Sequence, residues 1–286
     1  MDIYEEIVNL RTRGIRAALA IIIAHEGAAP RKDAVKMLIC EDGRQIGNVG
    51  GGQVEADVVR QAKEVINNGK SRLLSYDLSG IDHDERALVC GGSMQIYIDP
   101  VLPDPELVVF GAGHVAKAVS EAAEAAGFRI TVFDDRAKYA TAERFPNAKV
   151  VLVEDSENWE AALDSLNLTS SSYVFVATQR PKTDRICLRR VLMSPARYIG
   201  MLGSLTKTKI LLQALQKEGV DPAQFSRIFI PAGLDIGSET PEEIAASVVP
   251  ELIAARKNID VKRLRDAVHE AKSCCQAVRN DNKWPI

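Results

Sequence analysis

One segment constrains this chain more than any other. Residues 107–110 are wholly apolar (Leu107-Val108-Val109-Phe110) and run straight into Gly111-Ala112-Gly113-His114-Val115-Ala116. A strand apolar on both faces must be covered on both faces, which marks a parallel sheet. Glycines at its end fit a tight turn into a helix over 114–126. The pattern then repeats, with a strand over 129–133 and further strands over 149–153, 173–177 and 197–201, mostly with helical stretches between them. Alternating strands and helices of this kind predict a doubly wound α/β fold. A last helix is expected from Thr240 to about Arg256. Thr240 caps it, Pro241 takes the first position and Glu243 completes a capping box.

The first 99 residues lack that rhythm. They read as a helix over 2–13, buried strands over 17–24 and 35–40, a turn at Glu41-Asp42-Gly43, a helix over 53–68 stopped by Gly69, and a strand over 94–98. The expected organisation is a mixed α/β N-terminal domain over 1–99, a proline-rich linker over 100–106 and a Rossmann domain over 107–256. A charged helical tail over 257–286 completes it. Pro100, Pro103 and Pro105 argue for a stiff connection.

Composition narrows the function classes. The formal charge is -3 and 46% of residues are hydrophobic, so bulk charge gives no reason to expect nucleic acid or a membrane surface as partner. No apolar run approaches a membrane span. The N-terminus is acidic, the reverse of a secretory signal. The five cysteines lack CxxC spacing and form no disulfide framework, so a cytoplasmic location is expected.

Three places carry candidate chemistry. Gly111 and Gly113 suit a pyrophosphate at a helix N-terminus, and His114 stands on its first turn. Asp134 ends the second strand, where an acidic residue meets a ribose hydroxyl. The same glycines serve a turn with nothing bound, and Arg136 either pairs with Asp134 or receives a 2′-phosphate, so NAD or NADP is an open expectation. In the first domain, Gly50, Gly51 and Gly52 precede a helix and form a potential anion nest. Glu55 opposes an anion there if it points inward, or else caps the helix or binds a polar ring edge. Arg31 and Lys32 lie on a loop after a buried strand and read as a phosphate clamp or a solvated basic loop. Cys90, followed by Gly91-Gly92, reads as a buried thiol or as an accessible soft ligand for sulfur or a metal.

These residues, in this order, resemble the XdhC/CoxI family of molybdenum-hydroxylase accessory proteins. The matching segments are Ala29-Pro30-Arg31-Lys32, Gly50-Gly51-Gly52 with Glu55, Cys90-Gly91-Gly92, Gly111-Ala112-Gly113-His114-Val115-Ala116 and Asp134-Asp135-Arg136. Arg144-Phe145-Pro146, Tyr198-Ile199-Gly200-Met201-Leu202-Gly203-Ser204 and Gly233-Leu234-Asp235-Ile236-Gly237 with Thr240-Pro241-Glu242-Glu243-Ile244-Ala245 complete the set. The resemblance implies a protein that binds the molybdopterin-type molybdenum cofactor, assists its sulfuration with a cysteine desulfurase and delivers it to an apo molybdenum hydroxylase such as xanthine dehydrogenase. A homodimer is also expected. Read this way, Arg31, Lys32 and residues 50–52 hold phosphate, and Cys90 approaches the molybdenum or its sulfur. The sequence departs from the family's pattern at Ala28 and Ala29, which replace small hydroxyl residues. It departs again at Thr178-Gln179-Arg180-Pro181-Lys182-Thr183-Asp184, which lacks a histidine, and after Gly203-Ser204, where Leu205-Thr206 precede Lys207. The rival expectations are an NAD(P)-dependent oxidoreductase, for which no convincing catalytic constellation is present, and a nucleotide-binding sensor.

Overall fold

The structure is a computed structural model that describes residues 2–27, 35–77, 92–154, 158–164 and 166–259. Strands β1 (Ala17–Gly27), β2 (Lys36–Cys40), β3 (Gln45–Gly47), β4 (Arg72–Asp77) and β5 (Gly92–Val101) form an antiparallel sheet in the order β3-β2-β1-β5-β4. Two helices, α1 (Ile3–Thr12) and α2 (Gly52–Asn68), cover its faces. Side chains alternate across a strand, and β1 uses both sides. Ala18 and Ala20 pack with Met37, Ile39, Ile96 and Ile98 beneath Val58, Ala62 and Val65 of α2. Ala17 and Leu19 pack with Leu38, Cys40 and Leu10 of α1. A central strand covered twice has no polar face to show, which is why residues 17–24 read as apolar throughout. Gly69 ends α2 in the left-handed conformation, and its N–H reaches the Val65 carbonyl.

The proline segment differs from expectation. Pro100 and Val101 belong to β5, and the next strand starts at Glu106, so the irregular stretch is Leu102 to Pro105 rather than 100–106. Pro100 sits opposite Ala18 of β1, past the last β4 pairing of Ile98 with Arg72. A proline there leaves no β4 carbonyl without its donor, so the strand tolerates it.

Strands β6 (Glu106–Phe110), β7 (Arg129–Asp134), β8 (Lys149–Leu152), β9 (Ser172–Val176), β10 (Tyr198–Met201) and β11 (Ile228–Phe229) form the second sheet. All its pairings are parallel, in the order β11-β10-β9-β6-β7-β8. Its helices are α3 (His114–Ala125), α4 (Trp159–Asp164), α5 (Pro181–Leu192), α6 (Leu205–Lys217) and α7 (Pro241–Lys257). Leu107 and Val109 face the core shared with Val119 of α3 and Val248 and Leu252 of α7. Val108 and Phe110 face Trp159, Leu163, Leu188 and Leu215 on the other side. This is the expected doubly wound arrangement. Strand order reverses between β6 and β9, the switch point where such folds take ligands. The capping box predicted at Thr240 is formed, and α7 carries on through Lys257. The remainder of the expected tail, from residue 260, lies outside the described residues. Among the described residues no helix is long and apolar enough to cross a membrane.

Candidate functional site

The glycine turn after β6 is built by packing. Gly111 has φ of 109°, and a Cβ there would stand 2.2 Å from the Ala177 carbonyl oxygen at the end of β9. The two strand ends touch at this point, and only glycine fits. Gly113 has different surroundings. It is the N-cap of α3 with φ of −68°, and a Cβ there would meet nothing within 4 Å. The helix has no side-chain cap and no acidic residue in its first turn, so no side chain of its own first turn satisfies its first N–H groups. His114 is exposed on that turn. This end of α3 can accept an anion.

Asp134 is buried, and the chain itself satisfies it. Its Oδ2 accepts from the Ala112 N–H (2.6 Å) and from Arg136 Nη2 (2.7 Å). Its Oδ1 accepts from the Arg136 backbone N–H (2.9 Å) and Nε (2.8 Å). A carboxylate has about four lone-pair sites, and four donors fill them. Burial alone would raise its pKa, but the bonds from Arg136 and Ala112 outweigh that and hold the carboxyl below its usual range. Of the two roles open to Arg136 in the sequence, the structure shows the pairing with Asp134. The acid of the fingerprint therefore clasps the glycine turn to β7. Two further contacts cross the end of β6: Arg180 pairs with Asp135, and Arg136 Nη1 donates to Gln179 Oε1 at 3.4 Å.

Beside this turn lies a pocket of about 400 Å3 at the carboxyl ends of β9 and β10. Ala177, Thr178, Asp184, Ser204 and Lys207 line it over an apolar floor that includes Met201 and Leu211. Asp184 Oδ1 accepts from the Thr178 N–H (3.2 Å) and its hydroxyl (2.5 Å). Burial pushes the Asp184 carboxyl up to about 6 against those bonds and the Lys207 charge. A carboxyl that exchanges a proton near neutrality, close to an ammonium, can bind or protonate a polar ligand. Sequence reasoning named residues 178–184 and the stretch after Ser204 as departures from the family pattern and Tyr198 to Ser204 as a match, but assigned no site role to either loop. The contact between Gly111 and Ala177 is what makes them neighbours of the glycine turn. A larger groove of about 770 Å3 lies against α4 and α5, away from these loops, and its lining includes the paired charges Arg189 and Glu160.

In the first domain the structure shows which of the roles open to Glu55 it takes. Gly50, Gly51 and Gly52 all have positive φ, a conformation that favours glycine. Glu55 folds back onto this stretch, and its Oε2 accepts from the N–H groups of Val49 (3.2 Å) and Gly51 (3.1 Å). The chain's own carboxylate holds the place expected for an external phosphate. The cause is local: Gly51 is a helix N-cap without a side chain, and Glu55 supplies the missing acceptor. Arg31, Lys32 and Cys90 lie outside the described residues, but their anchors are described. β1 ends at Gly27 and β5 begins at Gly92, and these two residues pair. β2 begins and β3 ends at the same end of the sheet, where Met37 pairs with Gly47. The segments carrying Arg31, Lys32, Cys90 and residues 50–52 therefore all spring from one end of the first sheet.

That end is remote from the second sheet. The opposite end, with Arg16, Gly69 and Leu102, packs against Ser170, Tyr173 and Arg197 at the amino ends of β9 and β10. Each glycine edge thus lies at the far end of its own sheet, and β5 alone spans about 30 Å at about 3.3 Å per residue. None of the described cavities is lined by residues from both of these edges.

Fold and site together define a two-sheet protein whose second half is a Rossmann-type unit with an uncapped helix N-terminus and an internally satisfied acid. Residues 107–252 match the XdhC Rossmann domain, and residues 10–77 match the XdhC and CoxI family. The chain belongs to the XdhC/CoxI family. It is 33% identical to YqeB of Escherichia coli over 90% of its own length, spanning 47% of that relative. It is 27% identical to a Bacillus subtilis protein named as a probable xanthine dehydrogenase subunit, over 86% of this chain and 94% of that one. It is 23% identical to PaoD, a molybdenum cofactor insertion chaperone of Escherichia coli, over 85% and 84%.

Proposed function

We propose that this protein is a cytoplasmic accessory factor that binds the molybdopterin-type molybdenum cofactor, supports its sulfuration with a cysteine desulfurase and passes it to an apo molybdenum hydroxylase of the xanthine dehydrogenase kind. The observation that carries the reading is the match of both halves to one family, with PaoD and the Bacillus subtilis protein among the relatives. The bound cofactor would supply a phosphate and a soft molybdenum–sulfur centre. The residues fit such a group at Gly113, an uncapped helix N-terminus, so the α3 N–H groups would hold the phosphate. Glu55 accepts from Gly51 within the stretch 50–52, which favours Arg31 and Lys32 as the first domain's phosphate contacts. Cys90 is proposed as the soft contact.

Nucleotide binding is the weaker reading. Asp134 has no lone pair left for a ribose, and contacts from Arg180 and Gln179 cross the end of β6. The remote glycine edges also favour a homodimer in which one copy's first sheet faces the partner's Rossmann edge. Co-expression with the cofactor's biosynthetic enzymes, followed by purification and assay of molybdenum and pterin, tests the reading. The expected result is both in near-stoichiometric amount, with a sharp loss of molybdenum in Cys90→Ser at unchanged melting temperature. Protein that carries neither group overturns it.

A further inference from the structure

At the edge opposite the glycine turn, a cavity of about 260 Å3 lies where the first sheet meets the amino ends of β9 and β10. Its lining includes Arg16, Arg197, Arg256, Lys257 and Tyr173, with Ser170 and Ser171 among the neutral groups, and no carboxylate. Two of the arginines have structural work that accounts for them. Arg197 Nε donates to the Ala255 carbonyl at 2.9 Å, and Arg256 Nη1 donates to the Ala126 carbonyl at 3.1 Å, so each caps a helix C-terminus. A guanidinium has five N–H donors, and each of these spends one.

Arg16 has no such explanation. It is only 6% exposed, and among the described residues no hydrogen bond or ion pair reaches its guanidinium. The nearby carboxylate is Glu41, whose oxygens accept from the Arg16 backbone N–H (3.0 Å) and the Ser170 hydroxyl (2.6 Å). Burial and the Arg197 charge both lower the Arg16 pKa, outweighing the attraction of Glu41. Tyr173 is buried, and its phenol lies within electrostatic reach of Arg197, Arg16 and Arg256. Like charges that line one cavity with no carboxylate between them repel one another, and an anion in the cavity would relieve that repulsion.

We propose that this cavity is a binding site for a phosphate-type oxyanion, either free phosphate or the phosphate of a small ester, held by Arg16, Arg197 and the Tyr173 hydroxyl. The volume lies just below the ~300 Å3 at which drug-sized ligand sites begin, which suits a phosphate group with a small substituent. The planar guanidinium forks match its oxygens. The site is at the amino edge of the parallel sheet, so it is separate from the carboxyl edge discussed above and does not depend on the cofactor reading.

Calorimetry on the full chain with inorganic phosphate and with glycerol 3-phosphate, at matched chloride ionic strength, tests the proposal. Saturable binding is expected. Arg16→Gln should weaken it at least tenfold, and Tyr173→Phe, which keeps the ring, several-fold. Tighter binding of the ester supports an esterified ligand, and tighter binding of phosphate supports the free anion. In chloride buffer Arg16→Gln should melt no lower than wild type, and phosphate should raise the melting temperature of wild type alone. A structural role for Arg16 gives the opposite pattern, a lower melting temperature with an unchanged phosphate response. That pattern, or no heat from either probe with wild type, overturns the proposal.

Discussion

Replacing Asp134 with Asn tests whether the acid of the fingerprint is a clasp. The wild-type carboxylate accepts four hydrogen bonds, three of them from Arg136. An amide has one oxygen, so Asp134→Asn keeps at most two and turns an N–H2 toward the remaining donors. Two lost bonds to a charged group, at about 1.5–3 kcal/mol each, give about 3–6 kcal/mol. Arg136 is partly exposed and can turn to solvent, which places the loss near the lower end, about 3 kcal/mol. At roughly 2–4 °C per kcal/mol for a chain of this size, the melting temperature should fall about 6–12 °C. The pH dependence supplies a second check. The folded pKa of Asp134 is lowered, so its stabilisation is complete above the unfolded value and is lost as pH falls through the folded one. Urea melts should therefore show a wide gap between wild type and variant at pH 7 that narrows well below pH 4. A loss under about 1 kcal/mol, with the same gap at both pH values, would refute the clasp.

Gly111→Ala should cost about 3 kcal/mol or more by thermal melting, because positive φ and the Ala177 carbonyl both oppose a Cβ. Glu55→Ala should lose about 1 kcal/mol as a missing cap and, by titration, bind phosphate more tightly at the freed nest. Asp184 has a raised folded pKa of about 6, so the folded state holds the proton longer than the unfolded one. Stability should fall as pH rises from about 4 to about 6, by at most about 3 kcal/mol, and urea melts of Asp184→Asn should lack that slope.

Much of the fold was legible because its signals are local. The strand–glycine–helix turn at 107–116, the capping box at Thr240 and the Gly69 stop each depend on residues close in sequence, and each appears as read. The short β11 and the edge strand β4 carry too little pattern to announce themselves. The site was less legible because its chemistry is set by distant or competing partners. Nothing near Gly51 in the sequence says whether Glu55 points into the nest. Asp134 reads equally as a ribose ligand or as the partner of Arg136 until the Ala112 N–H is seen to bond it. Asp184 and Lys207 are 23 residues apart and meet only because β9 and β10 are adjacent. Arg16 and Arg197 meet across the two sheets, a contact that no spacing rule encodes.

The central claim is delivery of the molybdenum cofactor, and activation of an apo molybdenum hydroxylase tests it most directly. The protein, purified from cells that make the cofactor, would be mixed with the apoenzyme of its own organism, and hydroxylase activity followed against a control with equimolar free cofactor. Delivery predicts faster and more complete activation with the protein, loss of that advantage in Cys90→Ser, and molybdenum leaving the protein as activity appears. Activation no better than free cofactor, from a protein that carries no molybdenum, would contradict it.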